Sequence, residues 1–345
     1  MPVTTRAAQC QPAAAAPATA AGSIASPITR PQIKILLAAP RGFCAGVDRA
    51  IQIVELALEK YGPPVYVLHE IVHNRHVLED FSARGVRFVE SLEDIPAGSV
   101  TIFSAHGVAE DIETKGRARH LRVIDATCPL VTKVHLQAQR YEREAREIVL
   151  VGHPGHPEVE GTRGRIAGRV HVLSTVEEVE RLAVGDPEQL AYVTQTTLSV
   201  DDTRDVIAAL VRRFPKIRGP ELADICYATQ NRQNAVKALA DQIDLLLVVG
   251  SPNSSNSNRL RELGERRGVS AHLIDSARDL QPAWFRPGMR IGLTAGASAP
   301  ETLVQGVLAR LRELGVGAVR EMEGSPESVV FQLPSELRAG EIARA

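Results

Sequence analysis

From Ile33 onward the chain alternates between two textures. Short apolar runs such as "IKILL", "VYVL" and "EIVLV" have the length and β-branched content of buried strands. Between them lie longer segments with apolar residues three and four apart. Val47, Ala50, Ile51, Val54 and Leu58 form one such stripe, and Gly62-Pro63 ends it. Strand–helix alternation of this kind predicts an α/β chain built from parallel βαβ units.

The alternation is itself repeated. "IKILLAAPRGFCAGVDRAIQIVELALEKYG", "LRVIDATCPLVTKVHLQAQRYEREA" and "LADICYATQNRQNAVKALADQ" each run from an apolar strand to a cysteine and on into a helix, the cysteines being Cys44, Cys128 and Cys226. A β-rich run ending in a polar loop follows each helix: "PVYVLHEIVHN", "EIVLVGHPGHPEVEG" and "DLLLVVGSPNSSNSN". His73, His156 and Ser254 in those loops lie 29, 28 and 28 residues after their cysteine. A third element ("VRFVES", "VHVLST", "AHLIDS") and a fourth strand with a small polar turn ("VTIFSAHG", "LAYVTQTT", "IGLTAGAS") complete each unit. The same order three times predicts three small α/β lobes with parallel-rich sheets, over 33–120, 121–219 and 220–320. Packed about a pseudo-threefold axis, each lobe brings one cysteine and two polar loops to a common centre, because α/β sheets bind ligands at their strand ends.

The flanks are different material. Residues 1–32, with "AAQCQPAAAAPATAAGSIASP", are Ala/Pro/Ser-rich without periodicity; they predict a disordered extension and give Cys10 no role. The protein is expected in the cytoplasm, with organelle import through 1–32 as the alternative. Residues 321–345 form a C-terminal tail.

Composition narrows the function. A net charge of −1 and 4% aromatic residues argue against a nucleic-acid partner, and no apolar run reaches the ~18 residues of a membrane span. Four cysteines without a C-x-x-C are too sparse for a disulfide scaffold. His69-Glu70-Ile71-Val72-His73 spells the H-E-x-x-H of zinc metalloproteases, which needs both histidines on one helix face. Here Pro63-Pro64 and then Val65-Tyr66-Val67-Leu68 read as a strand, so the motif lies at a strand end and a protease is excluded.

Three cysteines from three lobes, without a fourth, suit two groups. One is zinc completed by a histidine or water; the other is a cubane iron–sulfur cluster with one iron left open to substrate. The loops beside them offer hydroxyls, amides and imidazoles from His73, His106, Ser254, Ser255, Asn256 and Ser298. Such donors suit a phosphate or diphosphate, and Lys and Arg are missing among them. The second lobe differs: His156 and Glu158 form a candidate proton relay, with Thr196 placed to hydrogen-bond Glu158 or a substrate hydroxyl.

Together "RGFCAGVDRAI", "HEIVHNR", "FSAHGV", "DATCPLVTKVH", "GHPGHPEVEG", "TQTTLSVDDT", "DICYATQNRQ", "GSPNSSNSNRL" and "TAGASAP" resemble the hydroxymethylbutenyl diphosphate reductase family, over about residues 33–335. The resemblance implies three α/β lobes around a [4Fe-4S] cluster held by Cys44, Cys128 and Cys226, with one iron open to the allylic hydroxyl of the substrate. It implies diphosphate binding by His73, His106, Ser254, Ser255, Asn256 and Ser298, substrate contacts from His156 and Thr196, and proton delivery by Glu158. The implied reaction is the last step of non-mevalonate isoprenoid synthesis, with electrons from a ferredoxin or flavodoxin. No carried-over site position differs in residue type; Pro154, where many relatives have a small residue, leaves Glu158 undisturbed.

Overall fold

A computed structural model describes residues 1, 33–220 and 224–338. The expectations for the N-terminal extension and for Cys10 lie outside the described residues. The first repeat contributes β1 (Ile33–Leu37), α1 (Ala45–Tyr61), β2 (Val65–Leu68), α2 (Arg75–Ala83), β3 (Val86–Val89), β4 (Val100–Phe103) and α3 (Glu110–Ala118). The second contributes β5 (Arg122–Asp125), α4 (Pro129–Arg143), β6 (Glu147–Val151), α5 (Pro157–Arg163), β7 (Val170–Leu173), α6 (Val176–Arg181), β8 (Leu190–Thr194) and α7 (Val200–Arg213). The third contributes α8 (Tyr227–Ala240), β9 (Leu245–Val249), α9 (Ser255–Arg266), β10 (Ser270–Ile274), β11 (Arg290–Ala295) and α10 (Glu301–Glu313), followed by β12 (Val316–Glu321).

These elements form a mixed α/β fold with three parallel sheets, ordered β3-β2-β4-β5, β7-β6-β8 and β10-β9-β11-β1-β12. Within each the third, second and fourth strands of one repeat lie side by side, as the repeated sequence order requires. The leading strand does not join them. β5 pairs with β4 of the first sheet, and β1 pairs with β11 of the third. Beside β8 of the second sheet the same place is held by a single parallel bridge, Ala191 to Arg218. The sheets are therefore cut one strand out of phase with the repeats: β1 and β5 join the sheet of a neighbouring repeat, whereas Arg218 still lies before the boundary expected at 220.

The physical reason lies in the crossings. Parallel neighbours need a crossover rather than a tight turn, and the helix after each cysteine covers the next sheet. Ile53, Val54 and Ala57 of α1 pack on Val65, Val67 and Ile102 of the first sheet. Val134, Ala138 and Tyr141 of α4 pack on Ile148, Leu150 and Val193 of the second. Val236 and Leu239 of α8 pack on Leu246 and Val248 of the third. Each cysteine thus sits where the chain passes from one sheet to the next. The strand expected just before Cys226 falls partly outside the described residues, and its described part, Asp224 and Ile225, belongs to no strand. Among the described residues no helix is long and apolar enough to cross a membrane.

Candidate active site

Loops at the C-terminal ends of strands from all three sheets meet at one cavity. It is lined by all three repeat cysteines and by every other residue singled out in the sequence: His73, His106, His156, Glu158, Thr196, Ser254, Ser255, Asn256 and Ser298. The H-E-x-x-H letters leave β2 at His69 and carry no helix until Arg75, so the two histidines never share a helix face.

Each of the three cysteines stands at a helix N-terminus. Cys44, Cys128 and Cys226 are the N-cap residues of α1, α4 and α8, where unpaired backbone N–H groups favour an anion. The N–H groups of Gly46 and Val47 face Cys44, and those of Leu130 and Val131 face Cys128. Cys226 Sγ accepts from the Thr229 N–H at 3.4 Å, with Thr229 Oγ1 at 3.2 Å. Gly46 leaves the space between two sulfurs open, since a Cβ there would lie 2.6 Å from Cys128 Sγ and 3.9 Å from Cys44 Sγ. Burial opposes ionisation, pushing Cys128 up to about 12 and Cys226 up to about 11, and each is raised further by the negative charge of Cys44. Such thiols are inert unless a metal takes the place of the proton. Among the described residues no three His, Cys, Asp or Glu side chains converge as ligands of a single ion. The three sulfurs line one cavity, and the space that Gly46 leaves beside two of them is room that a metal group held by thiolates needs.

Above the sulfurs stand three imidazoles. His73 stacks on His106 with ring centroids 4.1 Å apart, and His156 meets both edge-on at 5.6 and 6.0 Å. Desolvation holds His156 down at about 4 and His106 well below the usual histidine range, each lowered further by His73. Opposite them, α9 begins at its N-cap Ser254, whose Oγ accepts from the Ser257 N–H at 3.3 Å. Ser298 Oγ donates to the His73 carbonyl at 2.8 Å and lies 3.4 Å from Ser254 Oγ, tying the loops after β2, β9 and β11 together. Ser255 Oγ donates to the Thr197 carbonyl at 3.3 Å. Asn256 is 3% exposed, yet among the described residues neither its Oδ1 nor its Nδ2 has a partner, and His73 Nε2 is likewise buried and unpaired. Buried polar atoms are rarely left unmatched, so these point to a polar ligand.

Glu158 sits in the first turn of α5, only 2% exposed. It accepts from the Thr196 N–H at 2.6 Å and from Thr196 Oγ1 at 3.0 Å. Desolvation raises it to about 7, outweighing both hydrogen bonds, and Asp224 adds a like charge. A carboxyl group so placed changes protonation near neutral pH, as a proton donor must.

Sequence reasoning passed over five participants. Glu70 holds His73 Nδ1 at 2.7 Å, and Asn253 Nδ2 donates to the same carboxylate oxygen at 2.7 Å. Arg232 is fully buried; it donates to the Gly42, Phe43 and Ala228 carbonyls and pairs with Glu327 at 3.1 Å. Glu327 belongs to the tail, which continues past the cavity with Phe331 in the wall and docks Leu333 and Leu337 into the core around α1. The resemblance extended to residue 335, but no motif marked Glu327 or Phe331. Glu70, by contrast, stood inside the metalloprotease letters.

The LytB protein family profile matches residues 35–312. A 4-hydroxy-3-methylbut-2-enyl diphosphate reductase of Xanthomonas euvesicatoria pv. vesicatoria is 59% identical over 313 residues, 89% of this chain and 98% of that protein. The enzyme of the same name from Bordetella pertussis is 59% identical over 310 residues, 90% and 95% of the two chains. The solved structure of the E-1-hydroxy-2-methyl-but-2-enyl-4-diphosphate reductase from Plasmodium falciparum superposes with a TM-score of 0.85 at 38% identity, covering 89% of this chain and 97% of that one. A second solved structure, an (E)-4-hydroxy-3-methyl-but-2-enyl diphosphate reductase described as the terminal enzyme of the non-mevalonate pathway, gives 0.60 at 33% identity over 81% and 99%. By the family match and by identity along nearly its whole described length, the chain belongs to the LytB family.

Proposed function

We propose that the protein reduces (E)-4-hydroxy-3-methylbut-2-enyl diphosphate to isopentenyl and dimethylallyl diphosphates. The overall change consumes two electrons and two protons: the C–O bond of the allylic alcohol breaks, one proton leaves with the oxygen as water, and the other goes to carbon. Protonation at either end of the allylic system gives the two products. The observation that carries this reading is the meeting of three cysteines at helix N-termini and the unpaired, buried Asn256 amide in one cavity.

In this reading Cys44, Cys128 and Cys226 hold a [4Fe-4S] cluster as thiolates. When bound, the cluster supplies electrons one at a time and an iron without a protein ligand as a Lewis acid toward the substrate oxygen. The chain's own residues do the rest. Asn256, Ser254, Ser255 and Ser298, with His73 and His106, anchor the diphosphate through N–H and O–H donors. Glu158, held by Thr196, presents its proton within the same cavity as the thiols, and His156 lies beside it. Its burial keeps competing water from the carboxyl group. The electron donor is a small redox carrier such as a ferredoxin or flavodoxin, and the reading places the protein in the cytoplasm, where thiols stay reduced.

Iron and sulfide content of anaerobically purified protein tests the cluster. The expected result is about four of each per chain, with a brown absorption near ~400 nm that bleaches with dithionite. Cys128→Ser should abolish both the absorption and turnover of the diphosphate substrate. Stoichiometric zinc in a colourless, active protein would overturn the reading.

A further inference from the structure

The cavity poses an electrostatic question. A diphosphate is highly charged, yet the described residues lining the cavity include no Lys or Arg. His156 answers in one way. Its Nδ1 accepts the Glu158 backbone N–H at 3.2 Å, so the neutral ring carries its proton on Nε2 and donates from there without a charge.

His73 is wired in the opposite sense. Its Nδ1 lies 2.7 Å from Glu70 Oε2 and so bears a hydrogen, because that carboxylate can only accept. The hydrogen bond to His73 holds Glu70 below its usual range, aided by Asn253 against the effect of burial. With Nδ1 already a donor, the buried and unpaired Nε2 of a neutral ring is an acceptor and repels an anion. It can donate to phosphate oxygen only when the ring carries both hydrogens.

We propose that Glu70 is a positioning residue for the anion site: it turns the protonated Nδ1 of His73 outward and holds the ring as an imidazolium when a diphosphate binds, so that binding takes up a proton. The proposal rests on reading the cavity as a diphosphate site. Asn253, from the loop before α9, fixes the Glu70 carboxylate across the boundary between two sheets. The groups facing His73 are accounted for on every side. His69 and Glu70 come from its own loop, His69 pairing outward with Glu90 at 2.9 Å. His106 and His156 come from the loops after β4 and β6, and both are held neutral by burial at ordinary pH. Ser298 contributes an uncharged hydroxyl to the His73 carbonyl, and Arg75 on α2 is engaged with Asp275 at 3.1 Å. Glu70 is thus the carboxylate that touches the imidazole cluster.

The test is calorimetry of inorganic pyrophosphate binding to the anaerobically purified full chain, in two buffers of different ionisation enthalpy. Wild type should take up more protons on binding than Glu70→Gln does. Glu70→Gln should bind pyrophosphate about tenfold more weakly, the scale of one charge-assisted hydrogen bond. In the loaded enzyme the same factor should appear in KM while kcat moves little, and Glu70→Asp should recover part of both affinity and proton uptake. Wild-type binding without proton uptake overturns the proposal even if the variant does not fold. Equal affinity and uptake in a folded Glu70→Gln overturns it too. Failure of wild type to bind pyrophosphate at all removes the diphosphate reading and this proposal with it.

Discussion

The loops after β2 and β6 occupy the same step of the repeat, and each brings a histidine into the same cavity with a glutamate two or three residues away. Their carboxyl groups are driven in opposite directions. Glu70 precedes its histidine, keeps partial access to solvent, and is lowered by the ring it touches. Glu158 follows its histidine into the first turn of a helix, is fully buried, and rises to about 7 with a hydroxyl and an N–H as its near partners. In the proposed function one residue type therefore serves as a fixed negative charge in one lobe and as a transferable proton in another. The difference comes from burial and partner, not from the side chain. Where environments push two carboxyl groups apart in this way, the acid and the charge-holder can be told apart by geometry.

The largest effect should come from erasing the transferable proton. Glu158→Gln keeps the shape and the contact with Thr196 but has no acidic proton to give. Turnover should fall by roughly 10²-fold or more, the usual scale of general-acid catalysis, with pyrophosphate affinity little changed. A kcat within threefold of wild type, in protein retaining its cluster absorption, would end the assignment of Glu158 as donor. The equivalent change at Glu70 should instead move KM, which makes the pair a direct test of the division between the two loops.

That division was only partly legible in the sequence. Repeated spacing drew the cysteines and the polar loops together because a βαβ unit fixes where a strand-end loop falls, and these residues do line one cavity. The same logic misplaced β1 and β5. An apolar run such as "IKILL" says that a strand is buried but not which neighbour it pairs with, and that choice is made by the helix crossing to the next sheet. Glu158 stood out because it follows a histidine in a Gly/Pro loop, whereas its raised pKa depends on burial that no local pattern encodes. Arg232 and Glu327 are 95 residues apart, and "NRQ" in a helix reads as a polar surface; only the folded tail shows that the guanidinium is buried.

A second, smaller effect concerns stability. Glu158 is raised from its ordinary 4.5 to about 7 on folding, so between those values the native state binds more protons than the unfolded chain. Stability is then fully present below about pH 4.5 and falls as pH rises through 7, by an upper bound of roughly 3 kcal/mol for this group. Glu158→Gln lacks that loss. Above pH 8 the inactive variant should resist urea better than wild type, with the gap closing on acidification toward pH 5. Glu70 acts in the reverse sense, its contribution being present at neutral pH and lost as pH falls through its lowered value. Urea curves at several pH values check both signs, and a Glu158→Gln variant less stable than wild type at pH 8 would contradict the burial argument.

The smallest change sharpens the comparison by altering a partner instead of the carboxyl group. Thr196→Val removes the 3.0 Å hydroxyl contact to Glu158 while keeping the backbone N–H at 2.6 Å. Both bonds favour the ionised form, so losing one moves the carboxyl group further up. As a donor, Glu158 must be protonated, and kcat in wild type should decline above pH 7. In Thr196→Val that decline should begin at higher pH, even as the maximum drops by roughly threefold to tenfold for want of one hydrogen bond. The two effects have opposite signs at alkaline pH, which separates a change in proton affinity from simple damage to the site. A lower maximum with the decline unmoved would mean that Thr196 positions Glu158 without tuning it. A decline shifted to lower pH would mean that desolvation does not dominate there, and the contrast with Glu70 would need another cause.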